Sequence, residues 1–180
     1  EDGSAGTGLM PTKWTKLDFA IVRVETTDGV VGWGDGFAYV CRRATVAVLE
    51  DMVAPLVVGQ DIEDIPAFNR QLQQRLHLHG RYGITMFAIS AIDIALWDIR
   101  CKAVGKPLWQ MAGGASDRCK AYCGGIDLNF PLEKLQRQTP GYLDAGFNGV
   151  QIKDGQPELA DDLARAAALI RALNLKIEAR

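Results

Sequence analysis

Two residues of this 180-residue chain have the type and setting to act on a substrate together, Lys153 and Glu178. Lys153 lies in Gly-Phe-Asn-Gly-Val-Gln-Ile-Lys-Asp-Gly, residues 146–155. A glycine closes a helical pattern, a short apolar segment follows, and a second glycine ends it, which is how a buried strand between two helices reads. Side chains alternate along a strand, so Val150 and Ile152 share one face while Gln151 and Lys153 share the other. Residues 175–180 repeat the pattern, with Leu175, Ile177 and Ala179 on one side and Lys176, Glu178 and Arg180 on the other. If these are neighbouring parallel strands under a cover of helices, their polar sides converge at the C-terminal ends, where barrel sheets gather catalytic groups. A lysine and a carboxylate then meet in one pocket, an amine and an acid of the kind that proton transfer uses.

The elements that must position this pair follow a change of pattern along the chain. Residues 1–14, rich in glycine and containing Pro11, read as a loop. Residues 17–26 read as a strand with apolar side chains on both faces, so both faces are expected to be covered. Asp28-Gly29 supplies a tight turn into a return strand at 30–34, and 35–39 reads as a loop. Helical spacing predicts helices over 43–54, ended by Pro55, and over 65–78, opened by Pro66. The strongest helix is 83–104, with Ile84, Phe87, Ala88, Ala91, Ile92, Ala95, Leu96 and Ile99 at intervals of three and four and a stop at Gly105-Lys106-Pro107. Its small residues would let another backbone come close. One more turn at 108–112 leads to Gly113-Gly114, a natural junction. Beyond it the pattern is strand, helix, strand, helix, strand at 120–124, 132–145, 149–153, 158–173 and 175–179, with Pro140-Gly141 expected to interrupt the first helix. Such alternation signifies a parallel sheet with right-handed crossovers. Three strands are less than half of a closed barrel, so either the sheet is open or the chain is a piece.

Composition excludes several classes. Twenty basic against 22 acidic residues, scattered rather than clustered, leave no electrostatic footprint for nucleic acid. No apolar run reaches the roughly eighteen residues that span a bilayer, and the first residues lack the basic and apolar regions of a signal peptide, so a cytoplasmic location is the expectation. Cys41, Cys101, Cys119 and Cys123 sit among ordinary helix and strand residues, and the 119/123 spacing has no second pair to complete a zinc site. His77 and His79 diverge if helical and converge if extended. Asp93 and Asp98, five apart on a helix, suit capping, ion-pairing or loop-anchoring better than acid–base work. Gly32, Gly34 and Gly36 do not open a helix in a βαβ unit and are not a dinucleotide fingerprint.

The hairpin ending Val31-Gly32-Trp33-Gly34-Asp35-Gly36, the helix segment Ala88-Ile89-Ser90-Ala91-Ile92-Asp93-Ile94-Ala95-Leu96-Trp97-Asp98, Gly105-Lys106-Pro107-Leu108 and Gly113-Gly114 together resemble the enolase superfamily, in its mandelate racemase and muconate lactonizing branch. The resemblance runs from about Lys16 to the last residue. It implies an α+β capping domain, here residues 1–114, followed by the start of an α/β, TIM-like modified (β/α) barrel, here 115–180, incomplete and truncated after the third strand. It also implies Mg²⁺ held by carboxylates on the third, fourth and fifth barrel strands, and abstraction of a proton α to a substrate carboxylate. That proton is too weakly acidic to leave unless the developing charge meets a cation. By position, Lys153 matches the second lysine of the family's Lys-x-Lys motif, the base. Gln151 stands where the first lysine usually is; a glutamine can still bind the substrate carboxylate but tunes the base less. Glu178 falls where the family places an aspartate, its first metal ligand, and Arg180 where asparagine is common. Tyr39 and the 1–14 loop match the capping loops that close over substrate.

Each candidate has a plainer reading: a solvated lysine, an exposed terminal carboxylate, a packed tyrosine. Two functions follow. One is a lyase or isomerase, an acid-sugar dehydratase or racemase/epimerase, acting on a small carboxylate such as an acid sugar or hydroxy acid, with homo-oligomeric relatives and no nucleic-acid or membrane partner. The other is a catalytically silent fragment or decayed relative that works, if at all, through association with another chain.

Overall fold

The Asp28-Gly29 turn does what its residues dictate. Gly29 takes φ 87°, its N–H donates to Thr26 O at 3.0 Å, and Thr26 N–H donates to Val30 O at 3.0 Å. In this computed structural model, which describes residues 17–124 and 130–173, the turn joins β1 (Phe19–Glu25) to β2 (Val31–Phe37) in an antiparallel pair running from Phe19↔Phe37 to Glu25↔Val31. The return strand therefore continues three residues past Gly34, through a stretch expected as loop.

A helical run follows: α1 (Arg42–Val48), a π-helical turn (Leu49–Val53) and α2 (Ala54–Val57). Pro55 was expected to end it but lies at the start of α2. An amide-less residue costs little in the first turn beyond a π bulge, where the regular ladder is already reset. Next comes α3 (Ile65–Arg75), capped by Asp64, whose Oδ1 accepts from Ala67 N–H at 2.9 Å. A 3₁₀ turn (His77–His79) leads to α4 (Ile84–Val104), ended as expected by Gly105 at φ 68°, with Lys106 N–H donating to Cys101 O at 3.0 Å. A short α5 (Leu108–Met111) completes this part.

The three alternate glycines of β2 decide how α4 meets the sheet. All three are buried. A Cβ on Gly32 would lie 2.2 Å from Ala95 O, on Gly34 2.0 Å from Ala91 O, and on Gly36 3.0 Å from Phe87 O. The three carbonyls are four residues apart, one helical ridge laid on a two-residue strand period. Close approach then buries Ala88, Ile89, Ala91, Ile92, Ala95 and Leu96 of α4 with Ala20 of β1 and Leu49, Val53, Ile65 and Leu72 of the other helices. Each large side chain so buried stabilises by about 1.5–3 kcal/mol.

One expectation about β1 fails. Ala20 is buried and Val22 and Val24 are half-buried against the core, but Leu17, Phe19 and Ile21 are exposed, as are Trp33 and Phe37 on β2. Among the described residues the hairpin is covered on one face. The reason is that α4 seats on the glycine face and meets the other side only at the strand's end, where the Phe87 ring lies 4.8 Å from Phe37, and apolar residues on both sides of a strand do not by themselves supply a second layer.

Asp98 and Lys102 close the outer edge of β2. Trp33 N–H donates to Asp98 Oδ2 at 2.8 Å, while Lys102 Nζ donates to the same oxygen at 2.6 Å and to Val31 O at 2.9 Å. Asp93 accepts from Asn69 Nδ2 at 2.8 Å, tying α4 to α3. Both aspartates thus anchor, as their five-residue spacing suggested. The Lys102 ammonium, then the Trp33 amide, hold the Asp98 carboxyl below the usual carboxylate range, with partial desolvation opposing. A depressed folded pKa contributes stability that is present above the unfolded pKa and lost as pH falls through the folded one. Asp98→Asn is therefore expected to cost about 0.5 to 1 kcal/mol at neutral pH, screened by its exposure. Denaturant midpoints should show that deficit constant above about pH 5 and shrinking as pH drops below about 4.

The described residues form two compact units that divide between Asp117 and Arg118. In the second, β3 (Cys123–Gly124) pairs in parallel with β4 (Val150–Gln151), and α6 (Leu132–Asp144) and α7 (Leu159–Leu173) follow them. Strand, helix, strand, helix is the expected order, but each strand is only two residues long. Pro140 does not interrupt α6, which runs through it. Thr139, buried just before it, returns its hydroxyl to Leu135 O at 2.6 Å, and Pro140 itself faces solvent where its ring costs no packing. The strand expected at 175–179, with Glu178, lies outside the described residues.

Candidate functional site

β4 exists because Gly149 O accepts Cys123 N–H at 3.0 Å and Asn148 N–H reaches Ala121 O at 3.4 Å, setting Cys123 beside Val150 and Gly124 beside Gln151. Gly124 has a steric reason to lack a side chain: a Cβ there would stand 3.1 Å from Gln151 Cβ and 3.4 Å from its Oε1. Gln151, exposed, therefore lies over the neighbouring strand's glycine. Lys153 is half-buried and sits two residues beyond the end of β4, at the C-terminal side of a parallel pair. Gln151 ends β4 and Lys153 follows it two residues on, while Glu178, the third member of the sequence constellation, lies outside the described residues.

The segment after Lys153 is tied down. Gly155 N–H donates to Asp162 Oδ2 at 2.8 Å, and Gln156 N–H donates to Oδ1 and Oδ2 of the same carboxylate at 3.2 and 3.1 Å. Gly155 takes φ 118°, which lets consecutive amides turn toward one acceptor. Arg165, three residues on, donates from Nη1 to Phe130 O at 2.5 Å, and Lys134 Nζ lies 3.3 Å from the Phe130 ring centroid. Sequence reasoning missed both α7 residues. The available signal was an aspartate in the first turn of a helix that follows a glycine loop.

Tyr39 belongs to the other unit, in the turn after β2. Its half-buried ring packs 4.4 Å from Phe37 and edge-on to Phe19 at 5.8 Å, centroid to centroid. Val40 beside it takes φ 62°, a conformation that a β-branched residue rarely adopts. In the same unit a cavity of about 810 Å³ runs along β1, lined by Val22, Val24, Val57, Ile62, Ile92 and Leu96. His77 Nδ1 meets Gln74 O at 2.8 Å on the exposed 3₁₀ turn, and the four cysteines are free thiols. Among the described residues no group of three His, Cys, Asp or Glu could hold a metal ion, and no helix is long and apolar enough to cross a membrane.

A hairpin whose glycine face receives a long helix, followed by a unit of alternating strands and helices, defines the class: an α+β capping domain leading into the beginning of an α/β barrel. Residues 9–113 match the family described as mandelate racemase / muconate lactonizing enzyme, N-terminal domain, and the chain belongs to that family. It is 36% identical over 169 residues to 3,6-anhydro-alpha-L-galactonate cycloisomerase of Streptomyces coelicolor, covering 89% of this chain and 47% of that one. It is 32% identical to arabinonate dehydratase of Saccharolobus solfataricus, over 85% of this chain and 42% of the relative. The structure of a racemase from Streptomyces coelicolor with bound magnesium superposes with a TM-score of 0.80 at 35% identity, over 87% of this chain and 44% of that one. The chain thus spans less than half the length of these relatives.

Proposed function

We propose that this chain supplies the capping domain, residues 1–114, and the first β/α units, 115–180, of a Mg²⁺-dependent enzyme that removes the α-proton of a small carboxylate, as acid-sugar dehydratases and racemases/epimerases do. The observation that carries the reading is Lys153, half-buried two residues past the end of β4, itself one strand of a parallel pair, in a chain of this family. In it Lys153 Nζ accepts the proton, and the Gln151 amide donates to the substrate carboxylate. Glu178 as a metal ligand and Tyr39 as a substrate contact rest on their match to family positions. Mg²⁺ would supply charge to meet the enediolate, and magnesium accompanies the related racemase structure. The described residues form no site for it, so the chemistry assigned to this chain is confined to its own groups. The names of the two relatives favour acid sugars as the substrate class. A homo-oligomer in the cytoplasm completes the reading.

A second reading, a silent piece that acts by associating with another chain, is favoured by the apolar face that α7 shows to solvent, with Leu159 71% and Leu163 61% exposed. Proton exchange separates the two. Incubated in D₂O with a panel of acid sugars and hydroxy acids, the chain is expected to wash deuterium into the α-position only with Mg²⁺ present. Folded, soluble protein that exchanges nothing under any condition would overturn the enzymatic reading and leave the second.

A further inference from the structure

We infer that Gly124 is a positioning residue that sets substrate specificity: by carrying no side chain it lets the Gln151 amide lie across the last rung of the β3–β4 pair. Its meaning for the substrate rests on the reading of Gln151 given above, as the group that meets a carboxylate, while the placement of the amide rests on the geometry alone.

Register and alternation decide which residues share a face. Cys123 pairs with Val150 and Gly124 with Gln151, so the second of these rungs closes the ladder at its C-terminal end. Side chains alternate along each strand, and directly paired residues point the same way. The last rung faces outward, since Gly124 and Gln151 are exposed whereas Cys123 and Val150 are half-buried. A Cβ on Gly124 would stand 3.1 Å from Gln151 Cβ, 3.3 Å from its carbonyl oxygen and 3.4 Å from Oε1. Neighbouring strands lie about 4.7–4.9 Å apart, so 3.1 Å is well inside the spacing at which both strands carry side chains. The nearness of Oε1 shows that the Gln151 side chain bends back over the glycine instead of extending away from it. A methyl on residue 124 would press on Gln151 Cβ, and any longer side chain would take the space in which Oε1 lies. One rung back on the same face the arrangement is reversed: a Cβ on Gly149 would lie 3.4 Å from Cβ of the exposed Tyr122. Gly149 thus offers added bulk on the same face without reaching the amide. Glutamine has among the most rotamer freedom to lose on being ordered, and an amide already laid over the strand end loses less of it when a carboxylate arrives. Residue 124 therefore acts on how tightly a carboxylate is held and leaves proton removal alone.

The test compares the intact chain with Gly124→Val, Gly124→Ala and Gly149→Ala. In the unmodified chain, nuclear magnetic resonance is expected to show cross-peaks between the Gly124 α-protons and the Gln151 side-chain amide; their absence would overturn the inference. In Gly124→Val the corresponding cross-peaks should disappear, while the Cys123 amide, bonded to Gly149 O, keeps its hydrogen-exchange rate. In Mg²⁺-dependent α-deuterium exchange with an acid sugar, Gly124→Val should raise KM about tenfold or more and change kcat less than about threefold, with Gly124→Ala between it and the unmodified chain. Gly149→Ala should alter neither the cross-peaks nor KM. In a Gln151→Ala background Gly124→Val should no longer raise KM, because no amide remains to be displaced. Retained cross-peaks or unchanged KM in Gly124→Val, an equal effect from Gly149→Ala, or a faster Cys123 amide would each overturn the inference, the last by showing that the glycine serves strand pairing alone. Should Gly124→Val not fold, Gly124→Ala decides by the same readouts. Absent exchange in the unmodified chain would overturn the reading of Gln151, and with it the role in specificity, while the cross-peaks and their loss still decide the placement of the amide.

Discussion

Gly34→Ala is expected to destabilise the unit built on β1, β2 and α4 by about 3 kcal/mol or more, a large part of the 5–15 kcal/mol that holds a domain together. The added methyl would lie 2.0 Å from Ala91 O and 2.8 Å from Ala95 N. Both are backbone atoms inside a helix, so no rotamer change relieves the contact. The sheet and α4 must separate, and the layer of Ala88, Ile92 and Leu96 loosens with them. Urea unfolding followed by the fluorescence of Trp33 and Trp97 measures the loss. Gly141→Ala provides the contrast. It lies in α6 with nothing within 4 Å of its absent Cβ, so the same chemical change should stabilise by up to about 1 kcal/mol. A wild-type midpoint for Gly34→Ala would show that the helix does not rest on the glycine stripe.

Lys153→Ala is expected to lower Mg²⁺-dependent α-deuterium exchange by about a thousandfold or more, within the range that a positioned general base contributes. Unfolding should be little affected, because Lys153 is only half-buried and lies outside the ladder of β4. Lys153→Arg should not restore exchange: a guanidinium keeps its charge at any accessible pH and cannot accept a proton. Nuclear magnetic resonance of the substrate's α-position reads all three proteins directly. Full exchange in either variant would remove Lys153 from the reaction and shift attention to other groups.

The expected helix of 83–104 was legible because its determinants are local: spacing at three and four, small residues, and Gly105 to stop it. The hairpin turn was legible for the same reason, since Asp28-Gly29 specifies its own backbone. The order of strands and helices after Gly113-Gly114 could also be read. What misled were features whose outcome depends on distant partners. Apolar Phe19 and Ile21 suggested a second covering layer, yet whether a face is covered depends on which element packs there. Pro55 and Pro140 looked like breaks, yet a π bulge before one and an outward-facing position for the other make them compatible with helix. The two-residue lengths of β3 and β4 could not be read either, because a strand extends only as far as a neighbour offers hydrogen bonds.

The candidate site divides in the same way. From sequence alone came the strand that holds Gln151, though not its end before Lys153, the family of the chain, and the aspartates 93 and 98 as anchors rather than acids. The tertiary structure added that Gln151 lies over Gly124, that Gly32, Gly34 and Gly36 are the seat of α4, and that the Gly155 and Gln156 amides share the Asp162 carboxylate. Side-chain alternation and turn chemistry are set within a few residues of chain. A hydrogen bond from Gly155 to Asp162, or a helix carbonyl pressed on Gly34, exists only once separate segments have been brought within a few ångströms of each other.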